Sequence, residues 1–156
     1  MRNLGLVGFG LLAAAAVAGA SPAHAQSGPK NFRVTAKMNL CIDVASGRTA
    51  PGTPVQLWHC NGKAPQQFIL DPAQGKVRFA MNMDMCVDSL PGDTRLQLVR
   101  CDRSVNKWRY DAAKKRFTDG MATCWDVPSG KFNPQQRLQV WQCNGLTPQS
   151  FTMINL

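Results

Sequence analysis

The sequence contains no glutamate, so aspartate provides all nine of its acidic residues. Glycoside hydrolysis usually needs two carboxyl groups held about 5–9.5 Å apart, one of them with a raised pKa. The only histidine after residue 25 is His59, and no G-x-S-x-G motif accompanies it. We therefore expect no catalytic residues and no enzyme activity.

The chain also lacks any C-x-x-C pair, which argues against a zinc site, because such sites commonly hold cysteines and histidines at short spacing. We accordingly expect no metal and no cofactor. The formal net charge is +9, but no nucleic-acid-binding motif is present. Nucleic acid is therefore not an expected partner.

A long apolar run occurs near the start of the sequence, and no second run comes after it. Leu4 to Ala20 carries no charge, follows Arg2 and precedes a small-x-small sequence that ends at Ala25. These features are typical of a secretory signal peptide. They predict that residues 1–25 are removed near Ala25, and that residues 26–156 form one secreted or periplasmic domain.

All six cysteines follow residue 25, and export to an oxidising compartment favours disulfides. Six cysteines permit fifteen pairings. Sequential pairing gives separations of 19, 15 and 19 residues, so the same local link occurs three times. The spacing therefore favours the pairs Cys41–Cys60, Cys86–Cys101 and Cys124–Cys143 over the weaker alternative of zinc ligation.

The sequence repeats itself three times at a spacing of about forty residues. Each copy opens with C-x-D and continues with Q-x-W-x-C or a close variant. The first copy contains QLWHCNGKAPQQF from Gln56 and the last contains QVWQCNGLTPQSF from Gln139. Short apolar runs alternate with Gly, Pro, Asn and Asp, which is typical of strands and turns. No sustained helical period appears, so the pattern predicts an all-β fold.

These motifs resemble the ricin B-chain type of lectin domain, the Q-x-W repeat family, over about residues 30 to 156. The resemblance implies a β-trefoil of three pseudo-symmetric lobes, with about twelve short strands and one disulfide in each lobe. We place the first lobe at about 30–72, the middle lobe at 73–113 and the third lobe at 114–156. The resemblance also implies sugar binding in a shallow pocket of each competent lobe.

The alternation of side chains along a strand places Trp58 and Trp141 on the face opposite their aliphatic neighbours. Because the aliphatic side chains suit the core, both indoles should lie outside it. If each disulfide joins directly opposed residues of two neighbouring antiparallel strands, Asp43 lies opposite Trp58 and Asp126 lies opposite Trp141. A carboxylate and an indole would then meet beside a covalent link.

A carboxylate, an indole and an amide are the groups that a pyranose needs. The C–H face of the sugar packs on the indole, and the carboxylate accepts charge-assisted hydrogen bonds from hydroxyls. Such an open pocket should reach millimolar to micromolar affinity. Gln66 and Gln149 suit a ligand contact and a structural role in a turn equally. The predicted carbohydrate-binding residues are Asp43, Gln56, Trp58 and Gln66 in the first lobe and Asp126, Gln139, Trp141 and Gln149 in the third.

Two features depart from the family pattern. Sugar-binding lobes of the family usually carry an asparagine directly before the final Q-x-W, whereas Pro65, Val105 and Pro148 stand there in this chain. One hydroxyl contact is therefore missing in each lobe. The middle lobe also has Val99 in place of tryptophan, so we expect it not to bind sugar although Asp88 remains.

The basic residues are concentrated in one segment, since residues 95–116 hold eight lysines and arginines against two aspartates. One interpretation is a solvated surface that aids solubility. The other is contact with an anionic surface such as acidic polysaccharide, lipopolysaccharide or phospholipid headgroups.

Three functions fit these observations. The first, which we favour, is non-catalytic binding of a polysaccharide or cell-surface glycan by an exported lectin domain. The second is a cell-surface-binding subunit of a multi-chain, toxin-like assembly with a separate toxin or enzyme chain. The third is a trefoil used only for protein–protein contact.

Overall fold

The structure, a computed structural model, describes residues 28–156. The predicted signal peptide lies outside the described residues. Within them the regular elements are twelve short strands and four three-residue 3-10 turns, which confirms the predicted all-β fold. The first lobe contains β1 (Lys30–Val34), β2 (Leu40–Val44), β3 (Val55–His59) and β4 (Phe68–Asp71). The middle lobe contains β5 (Lys76–Phe79), β6 (Asn82–Asp88), β7 (Gln97–Arg100) and β8 (Arg109–Asp111). The third lobe contains β9 (Arg116–Thr118), β10 (Thr123–Asp126), β11 (Gln139–Gln142) and β12 (Phe151–Asn155).

Every strand pairing in the described range is antiparallel and most join neighbours in the chain. The second and third strands of each lobe form a hairpin, namely β2 with β3, β6 with β7 and β10 with β11. The last strand, β12, pairs with β1 along its whole length, from Asn155 opposite Lys30 to Phe151 opposite Val34. This pairing joins the third lobe to the first.

Three buried residues, one from each lobe, are linked in a closed ring of backbone hydrogen bonds. The N–H of Val55 donates to the carbonyl of Leu96 (3.1 Å), Leu96 donates to Leu138 (3.0 Å), and Leu138 donates to Val55 (2.9 Å). All three side chains are fully buried. They are the residues directly before each Q-x-W or Q-x-V motif, so the sequence repeat corresponds to a threefold arrangement in space.

The core is aromatic at its centre. Phe117 stacks on Trp125 with ring centroids 4.0 Å apart, and Trp108 meets Trp125 edge-on at 5.9 Å. All three are fully or almost fully buried. Trp141, in contrast, is 54% exposed, as the strand alternation predicts. Within residues 28–156 we find no helix with the length and apolar character needed to cross a membrane.

Each lobe holds one disulfide, and the pairs are those that the spacing favours: Cys41–Cys60, Cys86–Cys101 and Cys124–Cys143. All six cysteines are thereby used, which rules out their acting as zinc ligands. Closing a loop of 15–19 residues contributes about 3 kcal/mol in the loop-entropy model, so the three links are a substantial part of the stability.

The predicted strand register is wrong by two residues. Asp43 lies opposite Gln56, and Trp58 lies opposite Cys41. The reason is that Cys60 lies one residue beyond the end of β3, where its N–H donates to the carbonyl of Asn39. The disulfide therefore runs diagonally between the strands instead of joining directly opposed residues.

The third lobe shows the same offset. Asp126 lies opposite Gln139, and Trp141 lies opposite Cys124. Cys143 likewise lies just past the end of β11, and its N–H donates to the carbonyl of Ala122. The carboxylate of each pair is thus placed beside the amide, and the indole is placed beside the disulfide.

Candidate functional site

An open cleft of about 400 Å³ lies on the outer surface of the first lobe. It brings together three of the four residues predicted for this lobe, Asp43, Gln56 and Trp58. They share the outward face of the β2–β3 hairpin because Asp43 pairs with Gln56 and Trp58 is two positions further along β3. The remaining lining residues are Ala45, Ser46, Gly47, Asn61, Pro65 and Gln135.

Asp43 forms the acidic part of the cleft. Its Oδ1 accepts a hydrogen bond from Gln56 Nε2 and its Oδ2 accepts one from Gln66 Nε2, each 3.2 Å long. A carboxylate can accept about four hydrogen bonds, so these two leave capacity for a ligand. Burial raises the pKa of Asp43 above its usual value, while the hydrogen bonds from Gln56 and Gln66 act in the opposite direction.

Gln66 lies behind Asp43 and is fully buried. Besides Asp43, its Nε2 donates to the carbonyl of His59 (2.9 Å), and its Oε1 accepts the N–H of Asn61 (3.0 Å). All of its strong hydrogen-bonding groups are therefore engaged within the protein. Of the two roles left open by the sequence, these bonds correspond to the structural role in a turn, and the bond to Asp43 in addition orients the carboxylate.

Trp58 forms the aromatic side of the cleft. Trp58 is half-buried and lies opposite Cys41 in the β2–β3 pair. The Cys41–Cys60 disulfide therefore fixes the position of β3, the strand that carries the indole. The indole shares the cleft with Asp43 and Gln56, although the aspartate directly opposes only the glutamine. The predicted grouping of carboxylate, indole and amide is present with a different pairing.

A proline and a glycine close one end of the cleft. A side chain at Gly47 would place its Cβ 3.0 Å from Pro65 Cγ, and Gly47 also has φ +63°. The two 3-10 turns of this lobe, Ala45–Gly47 and Ala64–Gln66, therefore meet so closely that only glycine satisfies both conditions. Pro65 stands where the family resemblance implies an asparagine, and it provides an apolar wall instead of a hydrogen bond.

The third lobe contributes Gln135 to this first-lobe cleft. Its N–H donates to the carbonyl of Leu57 (2.8 Å), and its backbone is left-handed with φ 68°. The corresponding residue of the first lobe is Gly52, which precedes Val55 by the same three positions, has φ +85° and donates in the same way to Leu98. Glutamine here is strained by about 1–2 kcal/mol.

Gln135 was not identified from the sequence motifs, because it belongs to a different repeat from the cleft that it lines. An alignment of the three repeats provides the only signal: glutamine stands at a position where the first copy has glycine. Strain of this kind is concentrated at binding and catalytic sites. The side chain therefore qualifies as a candidate ligand contact.

The third lobe repeats the arrangement in a more open form. Gln139 Nε2 donates to Asp126 Oδ1 (2.8 Å), and Trp141 is 54% exposed on the same face. Gln149 is buried and binds the carbonyl of Gln142 and the N–H of Asn144, so it is engaged in the local turn.

The middle lobe directs its carboxylate inward. Asp88 is fully buried, and it accepts six hydrogen bonds. One of them comes from the indole N–H of Trp108 at 2.9 Å. The other five donors to Asp88 are the backbone N–H groups of Ser89, Val105 and Asn106, the hydroxyl of Ser104 and the side-chain amide of Asn106.

Gln97, the middle-lobe counterpart of Gln56 and Gln139, is not among these donors to Asp88 but accepts a hydrogen bond from Arg137.

Within residues 28–156 no three His, Cys, Asp or Glu side chains are grouped closely enough to hold a metal ion. The arrangement of the first and third lobes can instead accept hydroxyl hydrogen bonds beside an aromatic surface. It provides recognition chemistry for a polyhydroxylated ligand.

A model of the ricin-type beta-trefoil lectin domain matches residues 30–151. No curated protein matches the sequence. Among solved structures, the C-half of an earthworm R-type lectin in complex with GalNAc is similar with a TM-score of 0.73 and 15% identity, covering 83% of this chain and 99% of that one.

Two further structures share the fold. A mosquitocidal holotoxin matches with a TM-score of 0.72 and 14% identity, over 84% of this chain and 17% of that chain. The designed threefold-symmetric protein ThreeFoil matches with a TM-score of 0.67 and 16% identity, over 83% of this chain and all of the other. At these identities the structures establish the β-trefoil fold and nothing more specific.

Proposed function

The chain belongs to the family of ricin-type β-trefoil lectin domains, and from this premise we propose that it binds carbohydrate, without catalysis, at the first-lobe cleft and at the corresponding face of the third lobe. The family and its lectin neighbours support carbohydrate binding. The assignment to two of the three lobes is supported by their side chains.

The observation that carries this proposal is the number of hydrogen bonds at each repeated aspartate. Asp43 accepts two from other side chains, Asp126 accepts one from Gln139, and Asp88 accepts six. Only the first two keep acceptor capacity for sugar hydroxyls. Both of them also lie near an outward-facing indole, whereas the middle lobe has the buried Val99.

In the first lobe the sugar would place its C–H face on Trp58 and one or two hydroxyls on Asp43. Gln56 would fix the edge of the ring, and Gln135 would contact it from the third lobe. Pro65 would exclude water from the end of the cleft. Each neutral hydrogen bond contributes about 0.5–1.5 kcal/mol and those to the carboxylate contribute more, so we expect millimolar to micromolar affinity per site.

The test is a glycan array probed with the wild-type protein, Trp58→Ala, Trp141→Ala and the double variant. Each single variant should keep part of the signal from neutral glycans, and the double variant should lose that signal. Met121→Ala is the matched control, because Met121 is 88% exposed and outside the proposed clefts. Near-ultraviolet circular dichroism establishes that each variant is folded. A folded double variant that binds neutral glycans as well as the wild type does would overturn the proposal.

A second candidate function is delivery of a separate toxin or enzyme chain to a cell surface. The observation in its favour is the similarity to the mosquitocidal holotoxin, in which the matched part covers 17% of that chain. Affinity purification from the native source, with mass spectrometry of the bound proteins, tests it. A stoichiometric partner would support delivery, while a protein partner together with an empty glycan array would support a trefoil used for protein contact alone.

Export is also part of the proposal, with a secreted or periplasmic location after cleavage near Ala25. Three disulfides in a chain of this size are consistent with an oxidising compartment. Amino-terminal sequencing of the protein from periplasm and culture medium should find Gln26 first. Recovery of an uncleaved, reduced chain in the cytosol would refute export.

A further inference from the structure

A second cleft, of about 490 Å³, lies between the first and third lobes. It shares no lining residue with the first-lobe cleft that contains Asp43 and Trp58. Its walls are the residues just after β1, the β8–β9 hairpin and the last turn before β12. Of the described residues that line it, two are basic and none is acidic. We call it the interlobe cleft; its lining residues are Thr35, Ala36, Lys114, Arg116, Gly145, Leu146, Thr147, Gln149 and Ser150.

The threefold repeat shows what is unusual about Arg116. Asn31 and Lys76 are its counterparts, since each of the three lies two residues before the partner of the first cysteine of a lobe. Asn31 donates to the carbonyl of Gln66 (3.2 Å). Lys76 donates to the carbonyl of Ser104 (2.6 Å), to its hydroxyl (2.8 Å) and, more weakly, to the carbonyl of Asn106 (3.4 Å). In these two lobes the side chain therefore holds the last turn in place.

Arg116 does not make the equivalent bond. Its Nε is buried without a hydrogen-bond partner among the described residues, although the side chain as a whole is 21% exposed. The nearest carboxylate oxygen, on Asp111, is 3.9 Å away, which is within the range of a loose ion pair but too far for a hydrogen bond. A guanidinium with an unused, largely desolvated donor beside an open cleft is suited to an anion.

The hairpin that carries the two cations is also strained. Lys115 has φ 51°, whereas the corresponding residue of the preceding hairpin is Gly75 with φ +66°. Both carbonyls accept the N–H of a core aromatic residue, Phe151 and Trp108 respectively. The hydrogen bond to Phe151 thus fixes the backbone of Lys115. Lys114 and Arg116, the residues on either side of it, are thereby held at the edge of the cleft.

Hydroxyl groups complete the wall. Ser150 Oγ donates to Thr35 Oγ1 (3.0 Å), and Thr147 is a third hydroxyl-bearing residue of the lining. Because hydroxyls both donate and accept, they can bind sugar hydroxyls while the two cations bind a charged substituent. The cleft is also slightly larger than the first-lobe sugar cleft.

We propose that the interlobe cleft binds an acidic sugar unit, with Arg116 and Lys114 contacting its sulfate or carboxylate group. The inference rests on the proposed carbohydrate function and adds a third, chemically different site to it. It also assigns the anionic contact predicted for residues 95–116 to two basic residues of that segment, Lys114 and Arg116. Arg95 and Arg100 of that segment are paired with Asp93 and Asp102, so their charge is locally balanced.

The experiment compares a sulfated oligosaccharide with its desulfated counterpart by calorimetry at fixed ionic strength. Lys114→Gln/Arg116→Gln should bind the sulfated probe about tenfold more weakly than wild type. Arg100→Gln/Arg103→Gln removes the same charge from exposed positions on the middle lobe and should lose less than about twofold. Equal losses in the two double variants, or none in the first, would overturn the proposal.

Three further arms separate the sources of the signal. Arg116→Lys keeps the charge but not the planar donors, so it should give an affinity between those of the wild type and of Lys114→Gln/Arg116→Gln. An unchanged melting temperature of this variant would exclude a folding defect as the cause. Trp58→Ala/Trp141→Ala should keep its affinity for the sulfated oligosaccharide while it loses binding of neutral glycans. The proposal for the interlobe cleft and the proposal for the first and third lobes can therefore fail independently of each other. Binding only to phosphatidylglycerol vesicles, with no response to the oligosaccharide, would refute the sugar assignment.

Discussion

Asp43 of the first lobe and Asp88 of the middle lobe occupy the same position in their repeats and are used in opposite ways. Asp43 accepts two hydrogen bonds and faces a cleft, whereas Asp88 accepts six and is sealed inside the protein. The difference arises from the residues after the second cysteine of each lobe. The first lobe continues into Asn61, Gly62 and Pro65, whereas the middle lobe places Ser104, Val105 and Asn106 against the carboxylate.

The same backbone arrangement thus leaves the repeated aspartate with free acceptor capacity beside a cleft in one lobe and fully hydrogen-bonded inside the protein in another. Val99 in place of tryptophan is therefore only part of what distinguishes the middle lobe, because its carboxylate is also fully hydrogen-bonded. We therefore expect a lobe of this kind not to bind sugar, for two independent reasons. Substitutions in the three lobes can test each reason separately.

The largest effect is expected from Asp88→Ala. The substitution leaves several buried donors without an acceptor, including the Trp108 indole, so the free energy of unfolding should fall by about 3–5 kcal/mol. Asp126→Ala, which removes a single partner of Gln139, should cost only about 1 kcal/mol. Urea unfolding of both variants measures the difference, and equal losses would contradict the distinction between the lobes.

A smaller effect, on binding, is expected from Asp43→Asn. Replacing the charge removes charge-assisted hydrogen bonds of about 1.5–3 kcal/mol, so neutral-glycan affinity should fall roughly tenfold to a hundredfold. The measurement is calorimetry in a Trp141→Ala background, which isolates the first lobe. The same substitution provides the control for a pH titration.

Because burial raises the pKa of Asp43, the carboxylate should take up a proton at a higher pH than an ordinary aspartate. First-lobe affinity should thus weaken as the pH falls through the raised pKa, and the Asp43→Asn affinity should stay flat. The native state binds this proton more tightly than the unfolded state, so protonation of Asp43 itself favours folding at low pH. Acid loss of binding with intact structure is the expected result; a pH-independent wild type would count against Asp43 as the contact.

Gln135→Gly should change stability and affinity in opposite directions. Glycine relieves the left-handed strain but is more flexible when unfolded, for a net gain of about 0.5–1 kcal/mol. Loss of the side-chain contact should weaken first-lobe binding several-fold, at about 0.5–1.5 kcal/mol. Gly52→Gln is the reciprocal control, expected to reduce stability and leave glycan binding unchanged. An unchanged affinity for Gln135→Gly would show that the glutamine does not contact the ligand.

The smallest effect is expected from Val99→Trp. Restoring an indole to the middle lobe should produce no measurable glycan binding, because Asp88 remains fully occupied. The variant is measured in the Trp58→Ala/Trp141→Ala background, so that any signal from a neutral glycan must come from the middle lobe. A new signal would show that the aromatic ring alone decides whether a lobe binds.

Much of this architecture could be predicted from the sequence because it depends on local, repeated features. The cysteine spacing identified the three disulfides, and the alternation in Q-x-W predicted an outward Trp141. The register could not be predicted, since Cys60 and Cys143 lie just beyond their strands and the links are diagonal.

Other features depend on contacts between distant segments. The engagement of Gln66 and Asp88 is decided by turns whose shape no short motif specifies. The position of Gln135 depends on how the third lobe packs against the first, and the unused donor of Arg116 is recognised only against its two counterparts. Comparison between repeats within one chain thus gave information that a single repeat lacks.

The ring formed by Val55, Leu96 and Leu138 has a consequence for how such a chain can be shortened. Each lobe donates one backbone hydrogen bond to one neighbouring lobe and accepts one from the other. Deleting any lobe therefore leaves one buried N–H and one buried carbonyl without a hydrogen-bond partner. A two-lobe fragment should therefore not persist as a folded monomer and would need a second molecule to complete the circle. Substitutions on the outer surfaces leave this ring intact, whereas a change in the number of lobes breaks it.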